Sequence, residues 1–158
     1  MDSLELEKRT KDIEVLHIDD EGQFLDILNR HIGLTDKDIQ ITSTEEPKRA
    51  VELIEKHDID CVVCDYQMPS KDGVEVLKSV RDIHPDIPFM MLTGHGSKKV
   101  VVLAFSEGAS DYFRKDNLEQ DSVAIANRIE DAVEKENLID QLEYELKDVK
   151  DAMEELKD

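Results

Sequence analysis

Five short strand-like segments alternate with stretches of helical period along this chain of 158 residues. That alternation constrains the fold more than any other feature. Parallel strands cannot be joined by a tight turn; each needs a crossover, and a helix supplies it. Repeated five times, the pattern predicts an α/β fold, a parallel sheet wound with helices on both faces.

The segments can be taken in order. Ile13-Glu14-Val15-Leu16-His17-Ile18 reads as strand one, and Phe24, Leu25, Leu28 and Ile32 then recur at helical spacing up to Gly33. Asp38 to Ser43 alternates as strand two; Thr44 is expected to cap the next helix, with Pro47 in its first turn and Ala50, Leu53 and Ile54 inward. Ile59 to Cys64, interrupted only by Asp60, is a short apolar run that ends in Asp65, as expected of a strand buried on both faces. Val74, Leu77, Val80 and Ile83 mark a third helix that stops before Pro85. Ile87 to Leu92 is strand four, and the fourth helix runs from Ser97 to Glu107. Its six consecutive apolar residues cover it all round; Val102 and Phe105 are assigned inward, Val100 and Leu103 outward. Gly108 ends that helix, Asp111 to Arg114 forms strand five, and a pattern free of Gly and Pro then continues from Glu119 to Asp158.

Composition narrows the partners. The formal net charge of -19 repels nucleic acid and anionic membranes, so neither is expected as a direct partner. No apolar run approaches the ~20 residues that span a bilayer, and the acidic start Met1-Asp2-Ser3-Leu4-Glu5 lacks a signal-peptide core, so a cytoplasmic location is expected. Cys61 and Cys64 spell a C-x-x-C, but residues three apart on a strand point to opposite faces. They read as two small core residues.

Chemistry gathers at the strand ends. Strand one runs into Asp19-Asp20-Glu21, strand three into Asp65, strand four into Thr93-Gly94 and strand five into Lys115. In an open parallel sheet, ligands bind beyond the carboxyl ends of the strands where strand order reverses. Asp19, Asp20 and Asp65 together would need a cation to stay ionised, and hard oxygen donors in an incomplete cage suit Mg2+. The Lys115 ammonium and Thr93 hydroxyl complete a cradle for a phosphoryl group. Asp65, with an apolar strand behind it, is the best-placed nucleophile; Asp19 and Asp20 look better as metal ligands.

Four stretches carry a family resemblance: Val15 to Glu21, Val62 to Gly73, Met91 to Gly94, and Gly108 to Lys115. In this order and spacing they resemble the response-regulator receiver domain of two-component signalling. The resemblance implies a flavodoxin-like five-stranded sheet of order 2-1-3-4-5. It implies that Asp65 accepts a phosphoryl group from a sensor histidine kinase or phosphotransfer protein. Asp19, Asp20, Asp65 and the backbone carbonyl of Gln67 would bind Mg2+, and Lys115 and Thr93 would bind the phosphoryl oxygens. Thr93 and Tyr112 would form the switch, while Gln67 and His95 flank the phosphoryl group and tune its lifetime. Such a chain promotes its own phosphorylation and dephosphorylation but is a signalling switch, not a turnover enzyme. One departure is Asp116, where the family usually has a cis-proline after the lysine; a trans peptide is expected here.

The organisation expected is a tail over residues 1–10, the receiver over 11–130 and a helical extension over 131–158. In the extension, Ile139, Leu146 and Met153 fall on heptad position a, and Leu142, Val149 and Leu156 on d. This seam predicts a coiled coil continuous with the last receiver helix, a homodimer, and output to an unknown downstream protein. Two alternatives compete. A degenerate receiver acting as a scaffold conflicts with the complete set Asp19, Asp20, Asp65, Thr93 and Lys115. A phosphatase of the haloacid-dehalogenase type would carry a D-x-D after strand one, where this chain has adjacent Asp19 and Asp20.

Overall fold

In the computed structural model, residues 12–94 and 98–157 are described. The elements are β1 (Ile13–Ile18), α1 (Gly22–Gly33), β2 (Ile39–Thr44), α2 (Ala50–Lys56, entered by a 3-10 turn Pro47–Arg49), β3 (Cys61–Asp65) and α3 (Gly73–Ile83). β4 (Phe89–Thr93), α4 (Lys98–Ser106), β5 (Asp111–Arg114), a 3-10 turn Lys115–Asn117 and α5 (Leu118–Glu155) follow. All strand pairs are parallel and the order is β2-β1-β3-β4-β5, the flavodoxin-like arrangement.

Alternation along the strands divides the core in two. Leu16, Ile18, Val62, Cys64, Phe89 and Met91 pack with α2, α3 and Ala104 of α4 on one face. Val15, Cys61, Val63, Met90 and Leu92 pack with α1 and α5 on the other. Cys61 and Cys64 therefore do face opposite ways, both buried and free. This division also explains where a site can form. The chain leaves β1 toward α1 on one face and β3 toward α3 on the other, so the adjacent ends of β1 and β3 open a crevice.

Close packing holds that crevice in shape. Gly73 opens α3 against the end of β3, where a Cβ would stand 2.6 Å from the Asp65 carbonyl oxygen and 2.6 Å from Met91 Sδ. Gly108 ends α4 at φ +100, a left-handed conformation that other residues adopt only with strain. Arg81 locks this corner, donating through Nε and Nη2 to the Gly108 carbonyl and through Nη1 to the His84 and Ile87 carbonyls.

Several sequence expectations are corrected. Thr44 is the last residue of β2 rather than a helix cap; its hydroxyl accepts from the Glu46 N–H at 3.1 Å, a short turn that a Ser or Thr side chain makes two residues on. Ile83 flanks an open groove and is 55% exposed, so the inner stripe of α3 is Val74, Val76, Leu77 and Val80. In α4, Val102 and Phe105 are 67% and 46% exposed. Ala104 is the buried residue, and Val100 and Val101 are half-buried beside it. The helix is thus rotated by about one residue from expectation. Six apolar residues in a row leave its phase open, and the small Ala104 side chain lets it approach the sheet closely. Leu103 does face outward, at 42% exposure. Ser97, the expected start of α4, lies outside the described residues.

α5 runs for 38 residues. Its first half buries Leu118, Ser122, Ile125, Ala126, Ile129 and Val133 against the sheet; from Asn137 to Lys157 every residue is exposed.

Candidate functional site

The site is built from backbone outward. Asp19 follows β1 and is still tied to the sheet, its N–H donating to the Thr44 carbonyl at 3.1 Å. Its Oδ1 accepts from the Glu21 N–H at 2.9 Å, which turns the carboxylate inward. Asp65 closes β3, and the next N–H, of Tyr66, donates to the Leu92 carbonyl at 2.8 Å, so β4 fixes the strand end. Asp20 is half-buried beside them. One oxygen from each of Asp19, Asp20 and Asp65 lies within 4.8 Å of the others.

Lys115 answers this charge. Carried by the 3-10 turn after β5, its Nζ stands 2.7 Å from Asp19 Oδ2 and 3.0 Å from Asp65 Oδ2. The side chains are nearly buried, 8% exposed for Lys115 and 0% and 4% for the two acids. The ring of Phe24 lies beneath the same ammonium, 4.0 Å from centroid to Nζ. Thr93, the last residue of β4, is buried, and its hydroxyl has no partner among the described residues. Gln67 and Gly94 line the cavity above Asp65, about 550 Å3 in volume, with Glu21, Phe24, Ile27 and Leu118 around it. His95 lies outside the described residues.

Burial sets the electrostatics. It pushes the Asp65 carboxyl up to about 6, aided by the neighbouring Asp19 charge and opposed by Lys115. Asp19 is raised for the same first reason, against the pull of Lys115 and the Glu21 N–H. At Lys115 burial works against the charge, but the two carboxylates outweigh it and hold the ammonium above its usual range. Oxygen donors this crowded fit a hard divalent cation. Among the described residues Asp20 Oδ1 is buried without a hydrogen-bond partner, which supplies a free ligand atom.

Every described residue predicted for the site from sequence is at this sheet edge, apart from Tyr112. That residue lies within β5, half-buried, with its ring edge-on to Phe105 of α4 at 6.4 Å and 87°. The peptide after Lys115 is not cis, as expected without proline. Two neighbours of the site escaped the sequence reading. The sequence puts Phe24 only on a helix face; its position in the first turn after the β1 acids is the available signal. His17 lies two residues before Asp19, fully buried, with neither ring nitrogen hydrogen-bonded among the described residues. Burial and the Lys115 charge lower it to about 3, so it is a neutral core residue. Nothing in its sequence spacing distinguishes it from a polar strand residue.

The raised carboxyl gives a signed pH dependence. The folded chain holds the Asp65 proton more tightly than the unfolded chain, so stability from this group is present below the unfolded value of 3.8 and lost as pH rises through about 6. Asp65→Asn should therefore melt several degrees above the wild type at about pH 7.5 without divalent cations, and the gap should shrink as pH falls through about 6 toward 4. Calorimetric scans across that range would contradict this if the gap were constant or reversed.

Comparison with known proteins agrees with this geometry. The family model "Response regulator receiver domain" matches residues 15–127. Response regulator SaeR of Staphylococcus epidermidis is 31% identical over 134 residues, covering 83% of this chain and 57% of its own length. Transcriptional regulatory protein DegU of Brevibacillus brevis is 29% identical over 104 residues, 66% of this chain and 44% of that protein. The chain thus spans about half the length of these curated relatives. A response regulator receiver domain protein from Clostridium thermocellum superposes with a TM-score of 0.70 at 26% identity, over 80% of this chain and 98% of that one. None of these favours the haloacid-dehalogenase or scaffold alternatives. Fold, strand-end acids and family match lead to one conclusion: this chain belongs to the response regulator receiver domain family.

Proposed function

We propose that this chain is a phosphorylation-switched signalling module whose phosphoacceptor is Asp65. The observation that carries this reading is the Lys115 ammonium bridging Asp19 and Asp65 in a buried crevice at the sheet edge. A carboxylate oxygen of Asp65 would attack the phosphorus of a phosphohistidine on a sensor kinase or phosphotransfer protein. The new O–P bond forms as the P–N bond breaks, and the imidazole leaves with a proton. Lys115 would then donate to one phosphoryl oxygen and the Thr93 hydroxyl, unpartnered among the described residues, to another. Asp19, Asp20, Asp65 and the Gln67 backbone carbonyl would hold Mg2+, whose charge offsets that of the carboxylates and phosphoryl oxygens. Gln67 and His95 would set how fast water removes the group. The chain would act in the cytoplasm as a switch, without turnover of a separate substrate.

The output reading rests on α4. Movement of Thr93 toward a phosphoryl group would leave room for Tyr112 to follow, and Tyr112 already packs against Phe105. The exposed Val102, Leu103 and Phe105 offer a face for a downstream protein. The net charge of -19 argues against direct nucleic-acid or membrane contact.

A separate observation favours self-association through the extension, residues 131–158. Ile139, Leu142, Leu146, Val149, Met153 and Leu156 are all exposed, from 37% for Ile139 to 86% for Leu156. Each Leu or Ile buried is worth roughly 1.5–3 kcal/mol, so pairing two such stripes is the natural way to remove them from water. A parallel coiled-coil homodimer would also bring Glu145 toward Lys150 of a second copy, an exposed pair worth at most about 1 kcal/mol.

Two measurements check these readings. Acetyl phosphate with Mg2+ should add one phosphoryl group by intact-mass spectrometry and none to Asp65→Asn; equal incorporation would remove Asp65 from the role. Light scattering should find a dimer for the full chain and a monomer for a chain ending at Glu136. Identical states for the two would mean that the extension is not the dimer contact.

A further inference from the structure

The Lys115 ammonium has three N–H bonds to direct. Asp19 Oδ2 at 2.7 Å and Asp65 Oδ2 at 3.0 Å account for two neighbours, and the Phe24 ring face at 4.0 Å is a third. We propose that Phe24 is a positioning residue for phosphoryl transfer: its ring holds the Lys115 ammonium over Asp65 and keeps water off it. This rests on the reading of Asp65 as phosphoacceptor.

The chain around Phe24 is suited to that task. The Phe24 N–H donates to the Glu21 carbonyl at 3.0 Å, and the Glu21 N–H donates to Asp19 Oδ1 at 2.9 Å. One turn thus fixes both the carboxylate and the ring on either side of the lysine. Phe24 is half-buried, packed against the core beneath α1 and α5, and walls the cavity with Ile27 and Leu118. Lys115 enters from the far side, on the turn after β5, through a stem with several free torsions.

The choice of ring over a polar partner has a physical consequence. A ring face attracts a cation through its quadrupole yet offers no lone pair and no net charge. A carboxylate, carbonyl or water in its place would take one N–H and part of the ammonium charge. With Phe24 there, the strong interactions of Lys115 stay on the side where the phosphoryl oxygens arrive. An aliphatic side chain of similar bulk would fill the volume without attracting the cation.

The test separates ring from bulk, with acetyl phosphate plus Mg2+ as the probe. Phe24→Leu should slow phosphoryl incorporation about fivefold, the size expected of a partly shielded cation–π contact, while Phe24→Tyr should stay within about twofold of wild type. A Phe24→Leu rate equal to wild type, or a Phe24→Tyr rate as slow as Phe24→Leu, would overturn the proposal. A second readout needs no phosphorylation. In the wild-type chain the Lys115 ε-methylene protons should resonate upfield, shifted by the ring current of Phe24. An unshifted signal would overturn the proposal even if Phe24→Leu failed to fold. Equal phosphoryl incorporation into wild type and Asp65→Asn would instead overturn the Asp65 reading, leaving the ring contact to stand on the resonance shift alone.

Discussion

The buried charge cluster at the ends of β1 and β3 is the interaction on which the rest depends. Two carboxylates almost without solvent, and a third beside them, are costly to bury, and one ammonium cannot neutralise all three. The rest of the fold makes this arrangement possible. β-branched and aliphatic strands packed on both faces fix the strand ends, and α1 and α3 diverge to opposite faces to open the crevice. Gly73 lets α3 begin against the Asp65 backbone. The result is a site whose resting state carries unrelieved charge, a balance that the proposed cation and phosphoryl group would alter.

Under the proposed function the consequences would reach α4 by short steps. Thr93 ends β4 beside Asp65, and among the described residues its hydroxyl has no hydrogen-bond partner. Tyr112 lies on the neighbouring strand, paired in register with Met91, and touches Phe105 edge-on. Ala104 is the fully buried residue of α4, with Val100 and Val101 half-buried beside it. The opposite corner is held by Arg81 and its carbonyl acceptors around Gly108. A helix fixed at its end is a suitable element for a two-state response.

Much of this was legible in the chain. The run from Cys61 to Asp65 carried its own burial, and the strand-end acids with Lys115 carried the site, because strand periodicity and parallel topology leave few other placements. What was not legible had local causes. The uniform apolar run of α4 hides its phase, so the sequence assigns Val102 and Phe105 inward where Ala104 faces the sheet. Thr44 has the chemistry of both a helix cap and a strand-end turn, and only the backbone path decides between them. Phe24 looked like one more core residue of α1. Its contact with Lys115 joins residues far apart in sequence, which no helical period can reveal.

The central claim is that occupation of the Asp65 site is felt at α4 and β5. Amide hydrogen exchange with and without beryllofluoride and Mg2+ tests it most directly, since that anion mimics an aspartyl phosphate. Exchange should change in Lys98–Ser106 and Asp111–Arg114 while α2, on the far side of the sheet order, stays as it was. Unchanged exchange in both α4 and β5, with the anion bound, would contradict the account.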